Sequence, residues 1–491
     1  MIQGMQERNY LMEIQATHKS KPGGIGLTAL TAMVVTSSIG AGVFALTSDL
    51  AAAASPGPVL IAWGIVGFGI LMLALSLNNL VLKRPDLEGV FAYAEEGFGQ
   101  YAGFISGWGY WLSSWMGNVA FATVMMSAVG YFIPVFKSGN NVPAIITASI
   151  ISWGLTYIVN RGVESAAILN AVITICKLIP LFTFIVFSVL IFKANVFTAH
   201  FWNNVSGNFN GGLGVGTQIK NCMMVMMWVF VGIEGATMMS SRAKKKSDAG
   251  KATILGLGCL LAIYILASVL PYGYLSRAEL TSIHQPAMVY IFKSMVGNWG
   301  GALISLGLII STLGSWLSWT MLPAETVMLM SKRQLLPPIF GRENKHGAPT
   351  FSLIISGALI QLFLFTLLFT DRAYNFAYSL CTAAIVICYI FVAAYQVKYS
   401  YRHLREKGNW LQLLIGIFAF IFECVGIYMA GLQFVLLCAI AYIPGFFLFM
   451  KTRKDAGCEK WFSRIETVVT AAIAVGAVLG IVLLTMGRIS V

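Results

Sequence analysis

The chain has 491 residues, of which 58% are hydrophobic and 10% charged, and its mean hydropathy is +0.78. That balance excludes a soluble globular protein and marks a polytopic membrane protein. The net charge of +13 would speak for nucleic acid only if the basic residues formed a face of their own, and they are instead dealt out between apolar runs.

Residues 1–26 are polar and mixed in charge, lack a small-residue cleavage site, and read as an N-terminal segment without a cleaved leader. Apolar runs long enough to cross a bilayer follow at 27–52, 58–82, 99–134, 143–159, 166–192, 216–240, 252–275, 299–330, 350–370, 374–399, 410–430, 432–450 and 465–487. With alternate connections assigned to one side, starting from residues 1–26, 24 Lys and Arg fall on that side and seven on the other. This asymmetry follows the positive-inside rule and predicts a cytoplasmic N-terminus, with the tail 488–491 outside if all thirteen runs cross. The run Arg242 to Lys246 with Lys251 then serves as a topology determinant near anionic headgroups, and no nucleic-acid partner is expected.

The first run carries Ser37-Ser38-Ile39-Gly40-Ala41-Gly42-Val43-Phe44, and the sixth carries Phe230-Val231-Gly232-Ile233-Glu234-Gly235-Ala236. Two glycine-broken spans at corresponding places in two halves point to a transporter's binding site. Unwinding a helix in lipid frees backbone groups that no water can satisfy, so such a break must line an enclosed cavity. Spans 1–5 (27–200) and 6–10 (216–400) form two sets of five, and an odd number per set turns the second set upside down. The last three spans (410–487) are left at the periphery, where scaffolding or homodimer contacts are the ordinary expectation. Seven of the eight cysteines lie in apolar runs without metal-ligand spacing. There is no phosphate-binding loop, zinc signature or nucleophile elbow, so neither enzyme activity, metal nor cofactor is expected.

Four motifs together resemble the amino acid/polyamine/organocation superfamily, and within it the basic amino acid and amine antiporters. They are Ser38 to Phe44; Tyr110-Trp111 with Trp115-Met116-Gly117-Asn118; Trp228 to Glu234 running on into Arg242 to Asp248; and Ser315-Trp316-Leu317-Ser318-Trp319-Thr320. The resemblance covers about residues 25–450. It implies an all-α fold of the leucine-transporter type, a 5+5 inverted repeat with discontinuous helices 1 and 6. Spans 1, 2, 6 and 7 would rock against a scaffold to give alternating access. Arginine/agmatine, arginine/ornithine, lysine/cadaverine and histidine/histamine exchangers all look similar here, so the motif set leaves the substrate pair open.

For the site, the backbone around Ser38, Ile39, Gly40 and Gly42 presents N–H groups at the positive end of a half-helix, where an α-carboxylate fits. The unwound stretch around Ile233 and Gly235 offers carbonyls to an α-ammonium. Trp228 and Trp319 supply indole faces for a cationic or aliphatic side chain, and Asn118 resembles the family's amide that hydrogen-bonds substrate or the span-six backbone. The resemblance also makes Glu234 a proton-sensitive gate that bonds Tyr110 and Tyr389. Lys177, the one basic residue inside a span, is placed by its burial to gain and lose a proton during transport, and it resembles the lysine of proton-dependent, sodium-independent relatives that stands where others hold sodium and tethers span 1 to span 8. Asp49 is a candidate cation attractor at the outer mouth. The expected function is exchange of a basic or histidine-like amino acid for its amine or amino acid product at the plasma membrane. A proton-coupled amino acid symporter is the rival reading, and a non-transporting nutrient sensor a more distant one.

Overall fold

The computed structural model describes residues 24–202, 214–238, 243–369, 373–458, 461–486 and 488. Most of the N-terminal segment, Arg242 of the basic run and the tail Ile489-Ser490-Val491 lie outside the described residues. Helices in chain order are α1 (Leu27–Ser38), α2 (Gly42–Ala53), α3 (Pro56–Lys83), α4 (Val90–Phe98), α5 (Gln100–Val129), α6 (Val142–Asn160), α7 (Val163–Leu190), α8 (Ala194–Ala199), α9 (Val215–Val229), α10 (Gly235–Met238), α11 (Lys246–Val269), α12 (Arg277–Ser282), α13 (Ala287–Val296), α14 (Asn298–Lys332), α15 (Thr350–Thr366), α16 (Ala373–Arg402), α17 (Asn409–Ala430), α18 (Leu432–Asp455) and α19 (Arg464–Thr485). Among the described residues there is no β-strand, only one isolated bridge between Ile25 and Ala243.

Ten of these helices are individually long and apolar enough to cross a membrane, and α1 with α2, bent by 45° at a short break, make an eleventh. Helix α7 and the interrupted pair α9–α10 occupy the fifth and sixth predicted runs, so helix is found at all thirteen. Gly431 separates α17 from α18.

Inversion of the two halves is visible in a detail that hydropathy does not carry. Short α4 sits between the second and third spans, and short α13 sits between the seventh and eighth. Each ends at a glycine in the left-handed region, Gly99 (φ +93°) and Gly297 (φ +89°), from which a long span departs. The two short helices lie at opposite ends of the bundle. Helix α4 packs on α5 and α16 at the N-terminal end, and α13 packs on α2 and α14 at the opposite end.

Each end is tied by its own polar contacts. At the N-terminal end Arg333 bonds Glu95 of α4 at 3.0 Å, and Arg84 bridges Asp86 at 2.7 Å and Glu96 at 2.9 Å. Those two carboxylates hold the Arg84 guanidinium above its ordinary basicity. At the opposite end Arg277 donates to the last carbonyls of α2, Ala51 O at 2.6 Å and Ala52 O at 3.1 Å. A cation there satisfies carbonyls that the helix leaves unbonded and meets the negative end of its dipole.

Span 8 reaches the centre because α7 and α14 approach closely. A Cβ on Gly307 of α14 would lie 2.4 Å from the Pro180 ring of α7. Lys177, one turn before Pro180, thereby faces the break between α1 and α2. The last spans are peripheral: α19 rests on α18 and buries only Ala477 and Gly480 of its apolar side chains and glycines, while Val468, Val475 and Val478 are exposed. Exposed apolar side chains in such number on membrane-length helices fit a surface facing lipid.

Candidate substrate site between the two breaks

The first break begins where Ile39 closes α1, its N–H bonded to Val35 O at 2.8 Å, and Gly40 N–H turns back to Ser38 O at 2.9 Å. Helix resumes at Gly42. Breaking a span this way exposes carbonyls on one side and N–H groups on the other, and the two are treated differently.

The carbonyls are saturated by spans 5 and 8. Lys177 Nζ donates to Thr36 O at 2.8 Å and to Ile39 O at 2.6 Å. Ser315 Oγ reaches the same two oxygens at 2.8 and 3.0 Å, and Ser311 Oγ reaches Ile39 O at 3.0 Å and Gly40 O at 3.3 Å. Trp319 Nε1 donates to Ser37 O at 3.0 Å. The N–H groups of Ala41, Gly42 and Val43, by contrast, take none of the backbone bonds around the break. The first turn of α2 therefore presents unpaired donors at the positive end of its dipole.

The second break runs from Phe230 to Glu234 as a series of tight turns, including Phe230 N–H to Met227 O at 3.2 Å and Gly235 N–H to Gly232 O at 2.9 Å. Gly232 has φ +105°, and a Cβ there would lie 2.8 Å from Ser37 O, so both conformation and space require glycine. The breaks touch directly through Ser37 Oγ, which donates to Gly232 O at 2.7 Å. Carbonyls of Val231 and Ile233 take none of these bonds.

Between the breaks lies a small void lined by Ser38, Gly40, Gly42, Trp228 and Trp319, together with Ser37, Phe121, Val229 and Val231. Its free space admits about one water molecule, so this is a closed arrangement. Ser38 Oγ is buried and makes no hydrogen bond, and as a wall of the void it is available to a guest.

Aromatics flank the void on either side. Trp228 stacks on Tyr378 with centroids 5.9 Å apart and lies 6.0 Å from Phe121. Trp319 stacks on Tyr110 at 6.3 Å. The structure also brings together the residues expected to gate: Tyr389 donates to Glu234 Oε2, and buried Tyr110 lies beside the same carboxylate. Tyr378 and Tyr389 are eleven residues apart on α16, roughly 16 Å along the axis, so one helix supplies an aromatic on each side of the void.

Several expected residues stand elsewhere than the sequence reading put them. Ile39 contributes a saturated carbonyl and a spent N–H, so the free donors begin two residues later, at Ala41. Ile233 and Gly235 are buried in the turn without lining the void; Gly235 instead lets Ser37 Oγ approach to 2.9 Å from where a Cβ would sit. Asn118 is not among the residues lining the void; its amide donates to the backbone carbonyl of Trp319 at 3.2 Å, and its Oδ1 is buried without a hydrogen bond. Trp115 packs edge-on against Phe363 at 5.8 Å, away from the site. Ser311 and Phe121 went unnoticed in the sequence, although Ser311, Ser315 and Trp319 recur every four residues and so share one helix face.

The model of the amino acid permease family matches residues 25–435. The chain belongs to that family. This permease is 66% identical to an arginine/ornithine antiporter of Latilactobacillus sakei, over 95% of its own length and 98% of the relative's. It is 38% identical to an arginine/agmatine antiporter of Chlamydia caviae, covering 96% and 98%. Among solved structures it resembles the transporter MhsT in complex with L-phenylalanine, with a TM-score of 0.57 at 13% identity, over 82% of the permease and 98% of that chain. That likeness shows the fold, the 5+5 inverted repeat of the leucine-transporter type. The permease is thus an amino acid exchange transporter of the membrane and not an enzyme.

Proposed function

We propose that the permease exchanges external arginine for internal ornithine, with its N-terminus in the cytoplasm. The orientation rests on the 24 to 7 distribution of Lys and Arg. The substrate pair rests on the similarity to proteins named arginine/ornithine antiporters and on a site that suits a basic zwitterion.

The observation that carries the reading is the asymmetry of the first break. Its carbonyls are taken up by Lys177, Ser311, Ser315 and Trp319, while the N–H groups at the start of α2 and the Ser38 hydroxyl are left for a guest. A carboxylate is the guest that satisfies such donors. Free carbonyls in the second break accept the α-ammonium, and Trp228 and Trp319 take the cationic side chain against their ring faces. Lys177 fills the carbonyls of span 1 with its amine, where a sodium ion would otherwise be needed, so exchange needs no sodium ion. Glu234, joined to Tyr389 and beside Tyr110, closes the cytoplasmic side of the void, and Trp228 on Tyr378 closes the external side.

Purified permease in proteoliposomes tests this. Labelled arginine is expected to enter vesicles preloaded with ornithine, without sodium, and not to enter empty ones. Equal uptake into empty vesicles under an imposed pH gradient would overturn exchange in favour of proton symport, and faster uptake against agmatine than against ornithine would overturn the pair.

A further inference from the structure

Alternating access with a cytoplasmic N-terminus, the reading on which this inference rests, requires the cytoplasmic end of span 2 to part from the scaffold whenever the void opens inward. Three side chains at the end of α3 hold that seam closed. Buried Asn79 donates its amide to Gln396 Oε1 of α16 at 3.1 Å, and Gln396 in turn donates to Ser400 Oγ and to Gln412 O of α17, each at 3.1 Å. One turn further along α3, Lys83 pairs at 2.8 Å with Glu406, in the connection from α16 to α17. Arg84, just past α3, donates to Tyr395 OH of α16 at 2.6 Å and to Glu96 Oε1 of α4 at 2.9 Å. It also grips Asp86 through two bonds of 3.0 and 2.7 Å.

The far side of the seam is bound together by contacts of its own. Arg333, at the end of α14, bonds Glu95 of α4 at 3.0 Å, and Lys398 of α16 donates to Gly97 O. Tyr93 of α4 stacks on Tyr395 with centroids 6.0 Å apart, and a Cβ on Gly97 would lie 2.8 Å from the Tyr395 ring. Helix α4 follows α3 after the short connection 84–89, yet it is fastened to α14 and α16. Through Asn79, Lys83 and Arg84 span 2 is tied to that block. Exposed ion pairs contribute little singly. Here a bidentate arginine, a buried amide pair and an ammonium paired with a carboxylate act on one helix end. The Lys83 and Arg84 side chains are each only 22% exposed, so water and salt screen them in part.

We propose that Asn79, Lys83 and Arg84 form a latch that holds the permease closed toward the cytoplasm and so sets which side the empty carrier faces at rest. None of the three lines the void, so the latch acts on the carrier's orientation and leaves the chemistry of binding alone. A two-state carrier whose inward-closed form loses stabilising contacts shifts toward the inward-open form. Its apparent affinity for the internal substrate then rises in proportion to the gain in the competent fraction.

Exchange in proteoliposomes of uniform orientation tests this, with the internal KM for ornithine and the external KM for arginine measured separately. Arg84→Gln and Lys83→Gln should each lower the internal KM roughly threefold or more and leave the external KM equal or higher. Damage to the fold would lower the maximal rate without that one-sided fall. Lys83→Glu sets two carboxylates against each other and should lower the internal KM further. Adding Glu406→Lys restores the pair with its charges exchanged, and the internal KM should return to within about twofold of wild type. An internal KM that is unchanged or raised in either Gln variant would overturn the latch while leaving exchange standing. So would a Lys83→Glu, Glu406→Lys protein no closer to wild type than Lys83→Glu alone. If Arg84→Gln fails to fold, Lys83→Gln and the charge exchange decide by the same comparison. Wild-type uptake of arginine that does not depend on internal ornithine would overturn exchange itself, and the latch with it.

Discussion

Replacing Lys177 by methionine keeps an unbranched stem of similar length and removes the two bonds to Thr36 O and Ile39 O, at 2.8 and 2.6 Å. Hydrogen bonds from a charged donor contribute about 1.5–3 kcal/mol each, so roughly 3–6 kcal/mol of attraction across the break is lost. Against this, the wild type bears the several kcal/mol needed to strip water from a fully buried ammonium, which methionine relieves. Neither carbonyl becomes an orphan, because Ser315 still reaches both and Ser311 still reaches Ile39 O. The two large terms therefore nearly cancel in stability, and the thermal midpoint should move by only a few degrees. Function should not be spared, since the break loses the charge that draws α1 toward α7. Arginine/ornithine exchange in proteoliposomes should fall at least tenfold. Adding Ser315→Ala leaves Thr36 O with neither of its two cross-helix donors and Ile39 O with only Ser311. The double variant should therefore lose about 1–3 kcal/mol more than the sum of the single losses, as expected for a buried acceptor left unpaired. Additive losses, or full exchange by Lys177→Met, would refute the reasoning that spans 5 and 8 jointly hold the break.

Three further substitutions probe other parts of the site. Gly40→Ala places a Cβ 2.6 Å from Phe121 Cε1 and 3.3 Å from Ser315 Oγ; overpacking costs about 1–3 kcal/mol, and calorimetry should show arginine binding lost while the protein remains folded. Glu234→Gln puts an amide donor where Tyr389 donates and Tyr110 approaches, so steady-state exchange should drop to background while binding persists; unchanged turnover would contradict its part in the gate. Trp319→Phe keeps a ring against Tyr110 but deletes the bond to Ser37 O, a loss of about 1 kcal/mol that should appear as a roughly fivefold weaker arginine affinity in a titration.

The sequence displayed the membrane, the thirteen runs and the two broken spans because each depends on local chemistry, apolar length or glycine placement. It showed the place of the site better than its wiring. Ile39 and Ile233 were read as binding residues from their positions in the motifs, yet which backbone groups stay free depends on who bonds the others. That is fixed by Lys177, Ser311 and Ser315, more than a hundred residues away in the chain. The bond from Asn118 to the Trp319 carbonyl likewise follows only from how α5 meets α14. The helices α4 and α13, which reveal the inversion, are short and lie outside the long apolar runs, so hydropathy passes over them.

The central claim is that the unpaired N–H groups of Ala41, Gly42 and Val43 hold the substrate's carboxylate. Calorimetric titration with L-arginine and with L-argininamide, which differ in that group alone, tests it most directly. Losing charge-assisted bonds of about 1.5–3 kcal/mol predicts that the amide binds roughly 10- to 100-fold more weakly. Equal affinities for the two compounds would contradict the account.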